Sequence, residues 1–282
     1  MGMITGRITR TVQIMGIRMA RVAATITGTI TRTVQIMGTR MARVAATIMG
    51  IESSGWLGLA WLASPALPIG GFSYSEGLEA AVEHGLVHDE ASCSTWLRDQ
   101  MLMTQARGDW AVVALAIEAW RALDSASLGE LAHWVSATRE SAEMRLQSEQ
   151  MGRSLTDWLR NLSLAPPAAM SLLENLPPSY PMTLALALSL IDAPLPQAMQ
   201  SCAFSWAENM VQAAVKSVPL GQNAGQRLLL GLVQAIPEAV QKAIDCPAAQ
   251  RQCFSPMLAR SEEHTSELQS HLNLVCRLLL EK

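Results

Sequence analysis

From Trp56 to Ala259 the apolar residues recur three and four positions apart, the spacing of a helical face, and the alternating β-branched runs of strands do not occur. Leu128, Leu131, Val135 and Ala142 hold one such face, and Met151, Leu155, Trp158 and Leu162 hold a further stretch of it. Met199, Ala203, Trp206 and Met210 hold another. Ala, Leu, Met, Gln and Glu dominate this region, all good helix formers. Asp89 suits the N-cap of a helix running to about Arg107. Ser127 and Glu130 have capping-box spacing, and the helix behind them is expected to reach Leu162, with a bend or a partner-facing segment near Gln147 to Gln150 where the stripe loses phase. Pro166-Pro167 and Pro177-Pro178 punctuate a loop. A helix starts near Pro196 and stops at Val218-Pro219-Leu220-Gly221; another follows from Gln222 to Val233, and Pro237 suits the first position of the next. The fold class is therefore all-α, a helical bundle of roughly eight or more helices.

Composition divides the chain into three parts. The 282 residues are 50% hydrophobic and 16% charged, with a net charge of −3. No uninterrupted apolar run approaches the ~18 residues of a membrane helix, and the stretch Trp56–Phe72 is cut by Pro65 and Pro68. Residues 1–50 hold seven Arg and no other charged residue, whereas residues 51–259 hold 11 basic and 20 acidic ones. So acidic a central region argues against nucleic acid as a partner. The first part is a repeat: Ile8–Ile26 recurs as Ile30–Ile48 with a single change, Ile17 against Thr39. Two copies are too few to close a repeat core. The Ile-Thr bias is what adjacent His codons give one nucleotide out of frame, so residues 1–52 are expected to be mistranslated or disordered. Residues 53–259 form the helical domain. Residues 260–282 begin RSEEHTSELQS, which resembles a sequencing adapter read in translation, and are expected to be a non-native tail.

Candidate chemistry is sparse. His84 and His88 stand four apart and could face one metal ion if both lie on one helix, although Gly85 falls between them. A metal-binding protein or helical enzyme using this pair is the alternative reading. Five cysteines include no CxxC pair; Cys93 and Cys202 sit among apolar residues and read as core, and Cys246 and Cys253 match no metal motif. Ser64–Gly71 contains glycine but lacks the phosphate-loop Lys and reads as a rigid turn leading into a helix. Glu208, Gln212 and Lys216 form a polar stripe that Ser205 and Asn209 extend, and Arg139/Glu143 and Glu149/Arg153 have ion-pair spacing on a helix.

Three stretches resemble the UreF family of urease accessory proteins: LASPALPIGGFSYSEGLEAAVEHGLV (62–87), RESAEMRLQSEQMGRSL (139–155) and SWAENMVQAAVKSVPLGQNAGQRLL (205–229). The resemblance covers about 56–259 and implies an all-α, cytoplasmic protein that is not an enzyme. It implies a homodimer in a scaffold with the UreD (UreH) protein, which recruits the GTPase UreG and docks on apo-urease. It implies no tightly bound cofactor; nickel is cargo handled by the complex, and GTP hydrolysis drives its delivery. It also implies partner-binding residues: Ser73, Tyr74, Glu76 and Glu79 in the first motif; Arg139, Glu140, Arg145, Gln150 and Arg153 in the second; Glu208, Lys216, Gln222, Gln226 and Arg227 in the third. Some of these, Arg139 above all, could instead be internal buttresses, because a buried Arg needs a carboxylate partner.

Overall fold

The computed structural model describes residues 55–70 and 76–253. Expectations for residues 1–52 and 260–282, and for Ser73 and Tyr74, lie outside these. Among the described residues there are ten α-helices and no strands. No described helix is long and apolar enough to cross a membrane.

Two helices are apolar nearly all round and make the centre. They are α4 (Asp109–Ala122) and α8 (Tyr180–Ser189), the latter buried at every residue from Pro181 to Leu188. Helices of this composition are stable only inside a core. The two pack on each other, and Trp120 of α4 satisfies its indole N–H on Met182 O of α8 (3.1 Å). Amphipathic helices surround them: α5 (Ser125–Ala137) and α6 (Ala142–Asn161) on α8, and α9 (Leu195–Ser217) and α10 (Gln222–Ile244) on α4 and on each other. Helix α6 comes close to the start of α8 because Gly152 has no Cβ; one placed there would lie 2.6 Å from the Ser179 carbonyl carbon. Shorter helices complete the bundle: α1 (Gly55–Leu62), α2 (Leu78–Glu83), α3 (Glu90–Asp99) and α7 (Pro167–Glu174).

Capping explains where the helices begin. Asp89 caps α3 as expected, accepting from Ser92 N (2.8 Å), while the Ser92 hydroxyl accepts from Asp89 N (3.1 Å). Helix α3 ends at Asp99 and passes into a π-helical turn, Gln100–Gln105, just short of the expected Arg107. The cap at Ser127 is corrected. Asp124 is the N-cap of α5, and Ser127 lies inside the helix, donating its hydroxyl to Asp124 Oδ2 (2.6 Å). A continuous helix to Leu162 is also corrected: the chain breaks at Thr138–Ser141, where the Thr138 hydroxyl donates back to Trp134 O and the Ser141 hydroxyl caps Met144 N (3.1 Å). Ala142, placed on the apolar stripe, is exposed at the start of α6. The proline pairs enclose helix α7, with Pro167 at its first turn, rather than one loop. Pro237 does not start a helix but sits inside α10. Both Pro237 and Val233, whose carbonyl loses its donor there, are exposed, so water can replace the missing bond.

Candidate functional site

Segments from all three sequence motifs line one cleft of about 240 Å³. The first motif brings Ala63, Ser64, Pro65, Leu67, Ile69 and Glu76; the second Arg139, Met144, Gln147, Ser148 and Met151; the third Ser205, Trp206, Glu208, Asn209 and Gln212. Helices α4 and α8 form much of the remainder, through Asp109, Trp110, Val113, Tyr180, Pro181 and Leu184.

Arg139 is the best-anchored charge in the cleft. Its Nη2 donates to both carboxylate oxygens of Asp109 (3.0 and 2.9 Å), with 9% of the side chain exposed. Burial by itself would lower the Arg139 pKa, but the Asp109 charge and its hydrogen bonds outweigh that and hold it above the ordinary value. Asp109 is the first residue of α4, where a carboxylate also suits the helix dipole. The expected Arg139/Glu143 pair is therefore corrected. Arg139 precedes the Ser141 cap, outside α6, so the helical i,i+4 geometry does not apply, and it reaches a residue 30 positions earlier instead.

Glu76 is the second anchor. One oxygen, Oε2, accepts from Trp206 Nε1 (2.8 Å) on α9 and from Gln105 Nε2 (2.8 Å) in the π turn. A single carboxylate thus ties the first motif to the third. Its backbone is left-handed (φ 48°), a conformation costing a non-glycine residue roughly 1–2 kcal/mol that these bonds offset. Burial raises the Glu76 carboxyl pKa, and nearby Asp109 adds to this against the lowering by Trp206. Trp206 also meets Trp110 edge-on, with centroids 5.7 Å apart.

The cleft thiols are protonated at neutral pH. Burial, reinforced by the Asp109 charge, pushes Cys202 and Cys253 up to about 12. Cys93 and Cys202 are buried as expected. Glu76 and Asp109 are held by donors, so the cleft displays a fixed, mostly apolar surface with a few anchored charges. That is the equipment of a binding site.

The other expected site residues lie elsewhere. Glu79 is exposed on α2. Glu140 is half-buried; Arg145, Gln150 and Arg153 lie outward on α6, where Arg153 pairs with Glu149 (2.8 Å) as its spacing predicts. Lys216 is exposed near the end of α9, and Gln222 and Gln226 are exposed at the start of α10. Arg227 clasps Glu90 of α3 with two bonds (2.7 and 2.6 Å), also in the open. Within the cleft the structure therefore gathers Glu76, Arg139 and Glu208, and not the remainder of the described set. Sequence reasoning missed Asp109, Gln105, Tyr180 and Cys253. It placed Trp206 on an apolar stripe, whereas its N–H needs an acceptor and takes Glu76. The His84/His88 pairing fails: His84 is the C-cap of α2, Gly85 turns the chain at φ 73°, and His88 precedes the cap of α3. The two do not share a helix face. His88 Nε2 faces Asp89 at 3.9 Å instead.

Comparison with known proteins gives these motifs a context. The family model for UreF matches residues 87–233. Urease accessory protein UreF of Paracidovorax citrulli is 55% identical over 213 residues, covering 74% of this chain and 85% of that protein. The UreF of Methylibium petroleiphilum is 56% identical over 205 residues, covering 72% and 86%. A bifunctional urease accessory protein UreEF of Bordetella bronchiseptica is 45% identical over 186 residues, covering 66% of this chain and 43% of that longer protein. With segments of its motifs gathered around one cleft and its sequence matched across most of the Paracidovorax and Methylibium proteins, the chain belongs to the UreF family of urease accessory proteins.

Proposed function

We propose that this chain is a non-catalytic nickel-insertion chaperone of the cytoplasm. It pairs with UreD (UreH) as a homodimeric scaffold, recruits UreG, and couples GTP hydrolysis to nickel delivery into apo-urease. The observation that carries this is the 55% identity to a urease accessory protein over 85% of that protein's length. The chemistry of the cleft supports it. Its two inner carboxylates, Glu76 and Asp109, are engaged by Trp206, Gln105 and Arg139, and its thiols are protonated, so these groups are set to hold a surface in shape rather than to react. The Bordetella relative named UreEF joins two accessory functions in one chain, which supports a role in a multi-protein assembly. In a host lacking its own UreF gene, expression of this chain should restore urease activity, and a tagged copy should retain UreD and UreG. Restored activity without either partner retained, or no activity with the chain folded, sinks the reading.

A further inference from the structure

Of the three carboxylates that line the cleft, two are engaged within the fold. Asp109 is paired with Arg139, and Glu76 is held by Trp206 and Gln105. The third, Glu208, is half-buried on α9, and no hydrogen bond or ion pair engages its side chain among the described residues. A carboxylate partly withdrawn from water gains by meeting a cation there, because the lower local dielectric strengthens the attraction. A metal ion is a poor match, since among the described residues no three His, Cys, Asp or Glu are grouped to hold one. The surroundings say what an organic cation must bring with it. Glu208 is spaced three and four positions from Ser205 and Gln212, so α9 gives the cleft a polar row. Helix α6 adds Met144 and Met151, and α4 adds Trp110. Flexible thioethers beside an aromatic ring adapt to apolar side chains of varied shape. The 240 Å³ of the cleft equals the liquid volume of about eight waters, room for a few side chains of a peptide.

We propose that the cleft seats a short basic and apolar segment of a partner protein, with a Lys or Arg of that segment on Glu208 and its flanking apolar side chains against Trp110, Met144 and Met151. Residues 51–259 hold 11 basic and 20 acidic residues, so the domain draws a basic segment in and turns an acidic one away. This rests on the scaffold reading for the existence of a partner and deepens it by naming the chemistry of the segment taken. Its test needs this chain alone, so a failure here leaves urease restoration and the retention of UreD and UreG untouched.

Panning the full-length chain against a phage library of random short peptides should enrich peptides that place Lys or Arg beside Leu, Met or an aromatic residue. A synthetic copy of the most enriched peptide should bind Glu208→Gln about tenfold or more weakly than wild type, as when one partner of a desolvated charge pair is removed. The substitution keeps the shape of the side chain and breaks no bond of the fold. Glu79→Gln removes an exposed carboxylate outside the cleft and should bind as wild type does. Enrichment of acidic or uncharged peptides, enrichment of none, or a basic peptide that binds Glu208→Gln as tightly as wild type overturns the proposal. An equal loss in Glu208→Gln and Glu79→Gln also overturns it, because general attraction to an acidic surface would then explain the binding. So does displacement of the peptide by phenethylamine at equal concentration, which would make the cleft a site for small amines.

Discussion

Two arginines from the same family motifs work under different physics. Arg139 meets Asp109 with 9% of its side chain exposed, and Arg227 meets Glu90 with 60% exposed. Both make short bonds to a carboxylate, and Arg227 makes the better-formed pair, two nitrogens to two oxygens. Geometry alone would rank Arg227 higher. Burial reverses the ranking, because water screens an exposed pair and also replaces it when it breaks, whereas a buried charge that loses its partner has nothing to turn to. Motif membership therefore marks two kinds of residue: buttresses that shape the cleft, and charges that stand in solvent.

The largest expected effect separates these kinds directly. Arg139→Met leaves the Asp109 carboxylate without its cation at a site that is mostly closed to water, and Asp109→Ala strands the guanidinium. Each should cost about 3–5 kcal/mol, the usual loss on breaking a buried pair, read as a lower urea midpoint. The double variant Arg139→Met/Asp109→Leu should recover much of this, since it leaves no charge behind. If Arg139→Met unfolds no earlier than Arg227→Ala, burial is not what distinguishes the two arginines.

A medium effect concerns Glu76, the carboxylate that ties α9 and the π turn together. Its folded-state pKa is raised above the ordinary 4.5, chiefly by burial. Folding therefore favours the protonated form. The contribution is fully present below the unfolded pKa and is lost as pH rises through the folded one, so stability should decline from about pH 4.5 upward. Glu76→Gln keeps an oxygen that can accept from both Trp206 and Gln105, and has no proton to lose. Urea melts between pH 4 and 8, roughly the window set by a carboxyl raised by burial, should show the decline in the wild type and a flatter profile in the variant. Equal slopes would mean that Glu76 is ionised as easily in the folded chain as in the unfolded one. This would place its side chain in water and remove it from the buttress group.

The difference between the two regions also explains what the sequence could disclose. Local signals were readable: the Asp89 cap, the Glu149–Arg153 pair, the stripe through Met199, Ala203 and Met210, and the all-α class. Each depends on residues within a turn or two of each other. The break at Thr138–Ser141 was obscured because helix-forming residues flank it, and only the Ser141-to-Met144 capping bond marks the restart. Pro237 looked like a helix start because its cost inside a helix depends on whether water can reach the orphaned carbonyl, a tertiary fact. The cleft was legible as three motifs but not as a place. Arg139 finds Asp109 30 residues away and Glu76 finds Trp206 130 away, and no local pattern names such partners. The one clue was chemical: an Arg or a Trp N–H that goes inside must find an acceptor.

The smallest effect on folding is expected at Arg227, and there the interest shifts to partners. Its two bonds to Glu90 lower the Glu90 pKa and raise its own, yet both side chains stand in solvent, and Glu90 still begins α3 behind an intact Asp89 cap when the pair is broken. Arg227→Ala should therefore melt with the wild type. If Arg227 serves a partner, the same variant should bind UreG or UreD more weakly, with a flatter dependence on salt, because a rim charge acts mainly through long-range attraction. Glu90→Ala provides the internal control. It frees Arg227 without removing it, so a partner contact through Arg227 should survive or strengthen in Glu90→Ala and fail in Arg227→Ala. Two variants that behave alike in capture would assign the pair to holding α3 against α10, making Arg227 a buttress like Arg139 but a weaker one.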